Sequence, residues 1–155
     1  MQPRIDFKHA VLAGATLLST LQPYSARAGL GEPEAKVVTD AQQLNGSVKS
    51  MERANYRVHE IALPSGTVLR EFSVAGGSVF AVAWTGPTIP NLRQTLGQYF
   101  DTYAGAARAK HSGRNHLQVE QTDLVVQSSG HMRAFTGRAY LPLALPAGTS
   151  LDDIH

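Results

Sequence analysis

The run from Val79 to Trp84 constrains the fold more than any other stretch. Val79-Phe80-Ala81-Val82-Ala83-Trp84 is apolar without interruption. Gly76-Gly77 stands before it and Gly86-Pro87 after it, and a short apolar run bounded by such breakers reads as a strand. Successive side chains of a strand point to opposite faces. Alternation therefore sends Phe80, Val82 and Trp84 one way and Val79, Ala81 and Ala83 the other. Neither face can be left in water, so the strand belongs near the centre of a sheet covered on both sides. The alanines leave room for close packing.

The flanking sequence supplies the rest of the sheet. Residues 55–63, with Tyr56, Val58 and Ile61, read as a strand. Pro64-Ser65-Gly66 turns the chain into a second strand over 67–74. Gly76-Gly77 is a hairpin signal leading into the central run. Beyond Gly86-Pro87-Thr88, Pro90 can open a helix, because its missing N–H would be unpaired there anyway. Leu92, Leu96, Tyr99, Phe100 and Tyr103 then form one apolar stripe at helical spacing. Gly97 interrupts that stripe, at about 1 kcal/mol relative to alanine unless close packing uses the space. Residues 117–127 read as a fourth strand and Ser128-Ser129-Gly130 as a turn. Residues 131–141 read as a fifth strand, with Gly137 a bulge or close-approach site. Upstream, residues 34–44 fit a short helix carrying Val37, Ala41 and Leu44, ended by Gly46.

Short turns make neighbouring strands antiparallel, and an amphipathic helix must cover one face of the sheet. The expected fold class is α+β: a small antiparallel sheet in the order β-β-β-α-β-β with one amphipathic helix packed on a face. The expected organisation is a signal peptide over 1–28, a flexible or partly helical segment over 29–50, a single domain over 51–147 and a tail over 148–155.

The signal peptide rests on a three-part pattern. Arg4 and Lys8 make the start positive, residues 10–21 are apolar or small apart from Thr16, Ser19 and Thr20, and Ala26-Arg27-Ala28 closes the segment. The apolar stretch is about half the roughly 20 residues a membrane-spanning helix needs. Cleavage between Ala28 and Gly29 and a periplasmic or secreted destination follow as expectations.

Charge and cysteine content narrow the function classes. The chain has a formal net charge of +2. Arg4, Lys8 and Arg27 against Asp6 account for all of it, so the exported remainder is balanced. A balanced domain lacks the clustered Lys and Arg that displace counterions from nucleic acid, and it has no polybasic run for an anionic membrane surface. There is no cysteine, which excludes a lipid-modified cysteine, a cysteine zinc site, an iron–sulfur cluster and a thiol nucleophile. The 127 residues expected after cleavage can bury roughly two thirds of their unfolded surface without disulfides.

Four stretches act together as a family signature: Ser65-Gly66-Thr67-Val68-Leu69-Arg70-Glu71; Val79 to Pro87; Pro90-Asn91-Leu92-Arg93 with Leu96-Gly97; and Gly130-His131-Met132-Arg133-Ala134-Phe135-Thr136-Gly137-Arg138-Ala139-Tyr140. They resemble an exported proteobacterial family catalogued as domain of unknown function 2844. The resemblance covers roughly residues 56–147. It implies a single exported domain and no particular catalytic residue.

Candidate chemistry is sparse. His59, His111, His116, His131 and His155 show no H-x-H or H-E-x-x-H spacing, and the closest pair, His111 and His116, has no third ligand fixed beside it. His131 follows Ser128-Ser129-Gly130, with Asp123 on the preceding strand, so a Ser/His/Asp set can be drawn. No G-x-S-x-G elbow frames either serine. Arg70, Glu71, Arg133 and Arg138 alternate with apolar residues, as cross-strand ion pairs or as an anion-binding patch do. Alternation along 131–140 puts His131, Arg133 and Phe135 on one face, with His131 and Arg133 at a rim and Phe135 reaching the core. Trp84 either closes the core edge or, if exposed, anchors a partner. Gly76-Gly77 lacks the lysine and the strand–glycine–helix order of a phosphate loop.

The expected function is a non-enzymatic exported binding or envelope-accessory module. It has no cofactor, and it contacts an unknown protein or envelope component through Trp84, His131, Arg133 and Arg138. The alternative is a periplasmic hydrolase-type enzyme using His131 with Asp123 or a nearby serine. A third reading is an assembly accessory that pairs through a sheet edge.

Overall fold

A computed structural model describes residues 29–109 and 116–155; the expected signal peptide and His111 lie outside the described residues. Among the described residues seven strands form one antiparallel sheet: β1 (Ser47–Glu52), β2 (Arg57–Ala62), β3 (Val68–Ser73), β4 (Val79–Gly86), β5 (His116–Glu120), β6 (Val125–His131) and β7 (Ala134–Tyr140). Their spatial order is β1-β2-β3-β4-β7-β6-β5. The apolar run is indeed the central strand, with Val79 to Trp84 all buried.

The fold is α+β as expected, but the sheet is larger than five strands. β1 carries almost no burial signal, because only Val48 is half-buried. The stretch read as one strand over 117–127 is two, β5 and β6. The chain reverses at Gln121, whose N–H donates to the Leu124 carbonyl at 2.8 Å. The turn placed at Ser128-Ser129-Gly130 lies instead within β6. The true turn is Met132-Arg133, between paired His131 and Ala134, with Arg133 at φ +60°.

Alternation along β4 is also broken. Phe72 pairs with Ala81 but Ser73 pairs with Val79, so Phe80 is the extra residue of a β-bulge. The bulge turns Phe80 to the side of Ala81 and Ala83, while Val79 joins Val82 and Trp84.

Two cores result. On the helical face, Ile61, Leu69, Val82, Trp84, Val126 and Ala139 pack against Leu30, Val37, Ala41 and Leu96. The helices over this face are α1 (Val37–Gln43), α2 (Leu92–Thr95) and α3 (Phe100–Ala109). The expected single helix after Pro90 is therefore broken. Gly97, buried and at φ +53°, starts a 3-10 turn to Tyr99 that separates α2 from α3. Asn91 caps α2, its Oδ1 accepting the Gln94 N–H at 3.3 Å. α1 ends as a Schellman motif. Asn45 takes the left-handed position at φ +52°, and the Gly46 N–H reaches the Ala41 carbonyl at 2.8 Å.

On the opposite face, Val58, Phe72, Phe80, Val125 and Tyr140 pack around Ile154. Tyr56, Phe72 and Phe80 form a ring cluster with centroids 5.9 to 6.4 Å apart. The C-terminal segment straps this face, leaving grooves on either side.

The segment boundaries expected at 50 and 147 fall inside packed structure. Residue 50 is within β1. Leu30 and Ile154 are both fully buried. The Gly31 N–H donates to the Val79 carbonyl and the Val79 N–H to the Glu32 carbonyl, each at 2.8 Å.

Candidate functional site

The strapped face carries a cleft of about 380 Å³ between β5, β6, β7 and the C-terminal segment. Strand register builds it from two transverse rows. Gln118 pairs with Gln127 and Gln127 with Arg138; His116 pairs with Ser129 and Ser129 with Thr136. Directly paired residues share a face, so both rows point into the same groove. Arg138 is fixed on the floor: its Nε donates to Gln127 Oε1 at 2.8 Å and its Nη1 to the Leu151 carbonyl at 2.6 Å. Both partners are neutral, and among the described residues no carboxylate pairs with this guanidinium. Among the described residues no Asp or Glu lines the cleft, while Ile154 and His155 form its far wall. The chemistry is that of hydrogen-bond donors around one oriented cation.

The other residues expected at a site lie apart. Trp84 is 2% exposed, so it cannot anchor a partner; its Nε1 is buried without a hydrogen-bond partner. Arg133 sits in the β6–β7 turn and lines a separate groove beside Pro87. His131 pairs with Ala134 at the exposed end of that hairpin. Because Gly130 pairs with Phe135, His131 and Phe135 point to opposite faces. Asp123 is in the β5–β6 turn, at the far end of β6 from His131. Seven residues of strand at ~3.3 Å each separate them by about 20 Å. The Ser/His/Asp set drawn on these residues is not assembled.

Of the charged residues expected to alternate on strands, Arg70 forms the cross-strand pair: its Nε is 3.0 Å from Glu60 Oε2. Glu71 is not on a solvated face. It is 1% exposed beneath α1, near Asp40, and each of the two acids keeps one buried oxygen without a hydrogen-bond partner. Burial, then the charge of Asp40, pushes the Glu71 carboxyl up to about 8. Burial, reinforced by the charge of Glu32 and opposed by Lys36, pushes Asp40 up to about 6.

Sequence reasoning missed a second polar cluster, on the helical face at the β1 edge. Ser50 Oγ is 2.8 Å from His59 Nδ1. His59 Nε2 is 3.1 Å from Glu34 Oε1 and 3.1 Å from Ser73 Oγ. Glu34 accepts from Arg57 Nη1 at 2.5 Å and, through Oε2, from the Gly76 N–H at 2.7 Å. The members come from the N-terminal segment, three strands and the β3–β4 turn, so no spacing in the sequence announces them. Among the described residues no group of three or more His, Asp or Glu is placed to hold a metal ion, and no helix is long and apolar enough to cross a membrane.

Residues 26–154 match the family described as "Protein of unknown function (DUF2844)". No curated protein matches the chain, and no solved structure does.

Proposed function

The chain belongs to the DUF2844 family of proteins of unknown function, and from that premise we propose that it is an exported binding module whose ligand-binding site is the cleft over Arg138. The ligand class is a small anionic group, a carboxylate or phosphate, presented by an envelope component. The observation that carries the reading is Arg138 itself: an arginine positioned by Gln127 and Leu151, with no carboxylate paired to it among the described residues, in a groove lined by polar side chains. A guanidinium that is already oriented loses little freedom on meeting an anion, and a charge-assisted hydrogen bond contributes about 1.5–3 kcal/mol. Ser129, Thr136 and His116 add polar groups around it, while the Gln118 amide at the rim already donates to Glu120 Oε1 at 2.6 Å. Export enters through residues 1–28, whose charged start, apolar middle and A-x-A end support it.

The test is a titration of the isotope-labelled domain, residues 29–155, with acetate, citrate and inorganic phosphate, followed by nuclear magnetic resonance. Shifts should cluster at Gln118, Gln127, Ser129 and Arg138, and Arg138→Gln should weaken binding roughly tenfold or more. Shifts scattered over the surface, or unaltered by Arg138→Gln, would remove the cleft as the site.

A further inference from the structure

We propose that Ser50 is the nucleophile of an acyl-transfer site, with His59 as its general base, acting on uncharged esters with a small apolar acyl group. The site lies on the face opposite the Arg138 cleft and stands or falls independently of it.

The geometry follows from strand register. The Arg53 N–H donates to the Tyr56 carbonyl at 2.8 Å, which makes that pair hydrogen-bonded. Hydrogen-bonded and non-hydrogen-bonded pairs alternate along an antiparallel ladder, so Ser50 and His59, three pairs away, are non-hydrogen-bonded. Such pairs bring side chains closest, which accounts for the 2.8 Å contact between Ser50 Oγ and His59 Nδ1. The same alternation points the Ser50 N–H away from β2. Because β1 is an edge strand, that N–H has no partner in the sheet and is a donor available to a developing oxyanion.

Imidazole orientation is fixed from behind. Glu34 is held ionised: burial would raise its carboxyl, but the Gly76 N–H and Arg57 outweigh that and lower it. An ionised carboxylate only accepts, so His59 Nε2 carries the proton and donates to Glu34. His59 Nδ1 is then the acceptor for the Ser50 hydroxyl. Burial holds the imidazole below its ordinary range, partly offset by Glu34, so it is neutral and able to take a proton at pH 7. His59 is buried, whereas Ser50 is exposed. This order of nucleophile, base and orienting acid is the logic of a serine triad, with the two ring nitrogens exchanged. Ser73 also touches His59 but is fully buried and out of reach of substrate.

Beside Ser50 is a cavity of about 440 Å³ with apolar walls from Pro33, Val37 and Val38. Those walls fit a short acyl chain. In the reaction, the Ser50 Oγ–carbonyl carbon bond forms as the hydroxyl proton passes to His59 Nδ1. The carbon–oxygen bond to the leaving alcohol then breaks, and the alkoxide takes that proton. Water enters by the same relay, releasing the acid and restoring the serine. Glu34 and Arg57 are positioning residues.

The test uses the exported chain, residues 29–155, with p-nitrophenyl butyrate as substrate and an alkyl fluorophosphonate as covalent probe. Peptide mapping should place the phosphonate on Ser50, and Ser50→Ala should abolish both labelling and turnover. The Ser50→Ala protein should keep its circular dichroism, since the residue is exposed. His59→Gln should lower labelling roughly 100-fold or more, and Glu34→Gln should shift the acidic limb of the pH–rate profile. An unlabelled protein, a label elsewhere, or labelling of Ser50 that survives His59→Gln in a folded variant overturns the proposal. If His59→Gln does not fold, an absent acidic limb in the wild-type profile overturns it equally.

Discussion

Gly137 on β7 lies directly opposite Trp84 on β4, and the indole occupies the space that a side chain at 137 would need. A Cβ there would collide with Trp84 Cζ2 and Cε2 and lie 2.8 Å from the Gln127 carbonyl. Trp84 sits in the middle of the helical-face core, so the indole has nowhere to retreat. Gly137→Ala should destabilise the protein by about 1–3 kcal/mol, the usual cost of overpacking a filled core. Urea denaturation of the two proteins, followed by the fluorescence of the single tryptophan, measures this. A change under ~0.5 kcal/mol would mean the core yields at that point.

Leu96 is the second test of the same core. It is fully buried where α2 ends, and it packs with the sheet residues of the helical face. Leu96→Ala should cost about 2–5 kcal/mol. A loss in that range establishes that the broken helix still closes the sheet. A negligible loss, measured by the same denaturation, would separate the helix from the core.

What could be read from sequence, and what could not, follows from where each element sits. The central strand was legible because burial on both faces leaves an unbroken apolar run. The turns at Pro64-Ser65-Gly66 and Gly76-Gly77 were legible because Gly66 and Gly76 adopt positive φ, +84° and +67°. β1 was invisible because an edge strand in which only Val48 is half-buried has no apolar period to detect. The β5–β6 turn was hidden by Leu124-Val125-Val126, which made 117–127 look like one apolar strand. Ser128-Ser129-Gly130 read as a turn because serine and glycine are common turn formers, but here they continue β6, half-buried. Arg138 was singled out from its alternation alone, but its cleft needed the register that places Gln118 and Gln127 beside it. Ser50, His59 and Glu34 meet only through strand pairing and the return of the N-terminal segment, which no local pattern encodes.

The buried acids Glu71 and Asp40 contribute a pH-dependent part of the stability, opposite in sign to that of Glu34 and His59, whose values are lowered. Glu71 goes from an ordinary value of 4.5 to about 8 on folding, and Asp40 from 3.8 to about 6. Both folded values are raised, so between those limits the folded state binds more protons than the unfolded one. Stability from these groups is full below the unfolded values, declines as pH rises from about 4 to 8, and is level above that. Glu71→Gln removes the larger part of the effect. Its stability should fall less steeply than that of the wild type between pH 5 and 8. Parallel stability–pH curves for the two proteins would show that Glu71 is ionised in the fold.

The C-terminal segment belongs to the fold and also shapes the cleft, and Ile154 joins the two roles. It is fully buried in the second core, beside Val58, Phe72, Phe80 and Tyr140. Around it, Arg70 Nη1 donates to the His155 carbonyl at 2.8 Å and Arg138 Nη1 to the Leu151 carbonyl at 2.6 Å. These bonds are exposed and contribute little alone; the isoleucine side chain holds the strap down. Ile154→Ala should therefore cost about 2–5 kcal/mol. It should also loosen the strap before the sheet unfolds, because the strap has few other buried apolar groups. Amide hydrogen exchange checks both parts. Protection should fall most at residues 151–155 and at the strands that Ile154 packs against, β3, β4 and β7, and least at β1. Uniform loss of protection would mean that the strap and the sheet open as one unit, and unchanged protection at 151–155 would mean that Ile154 does not anchor it.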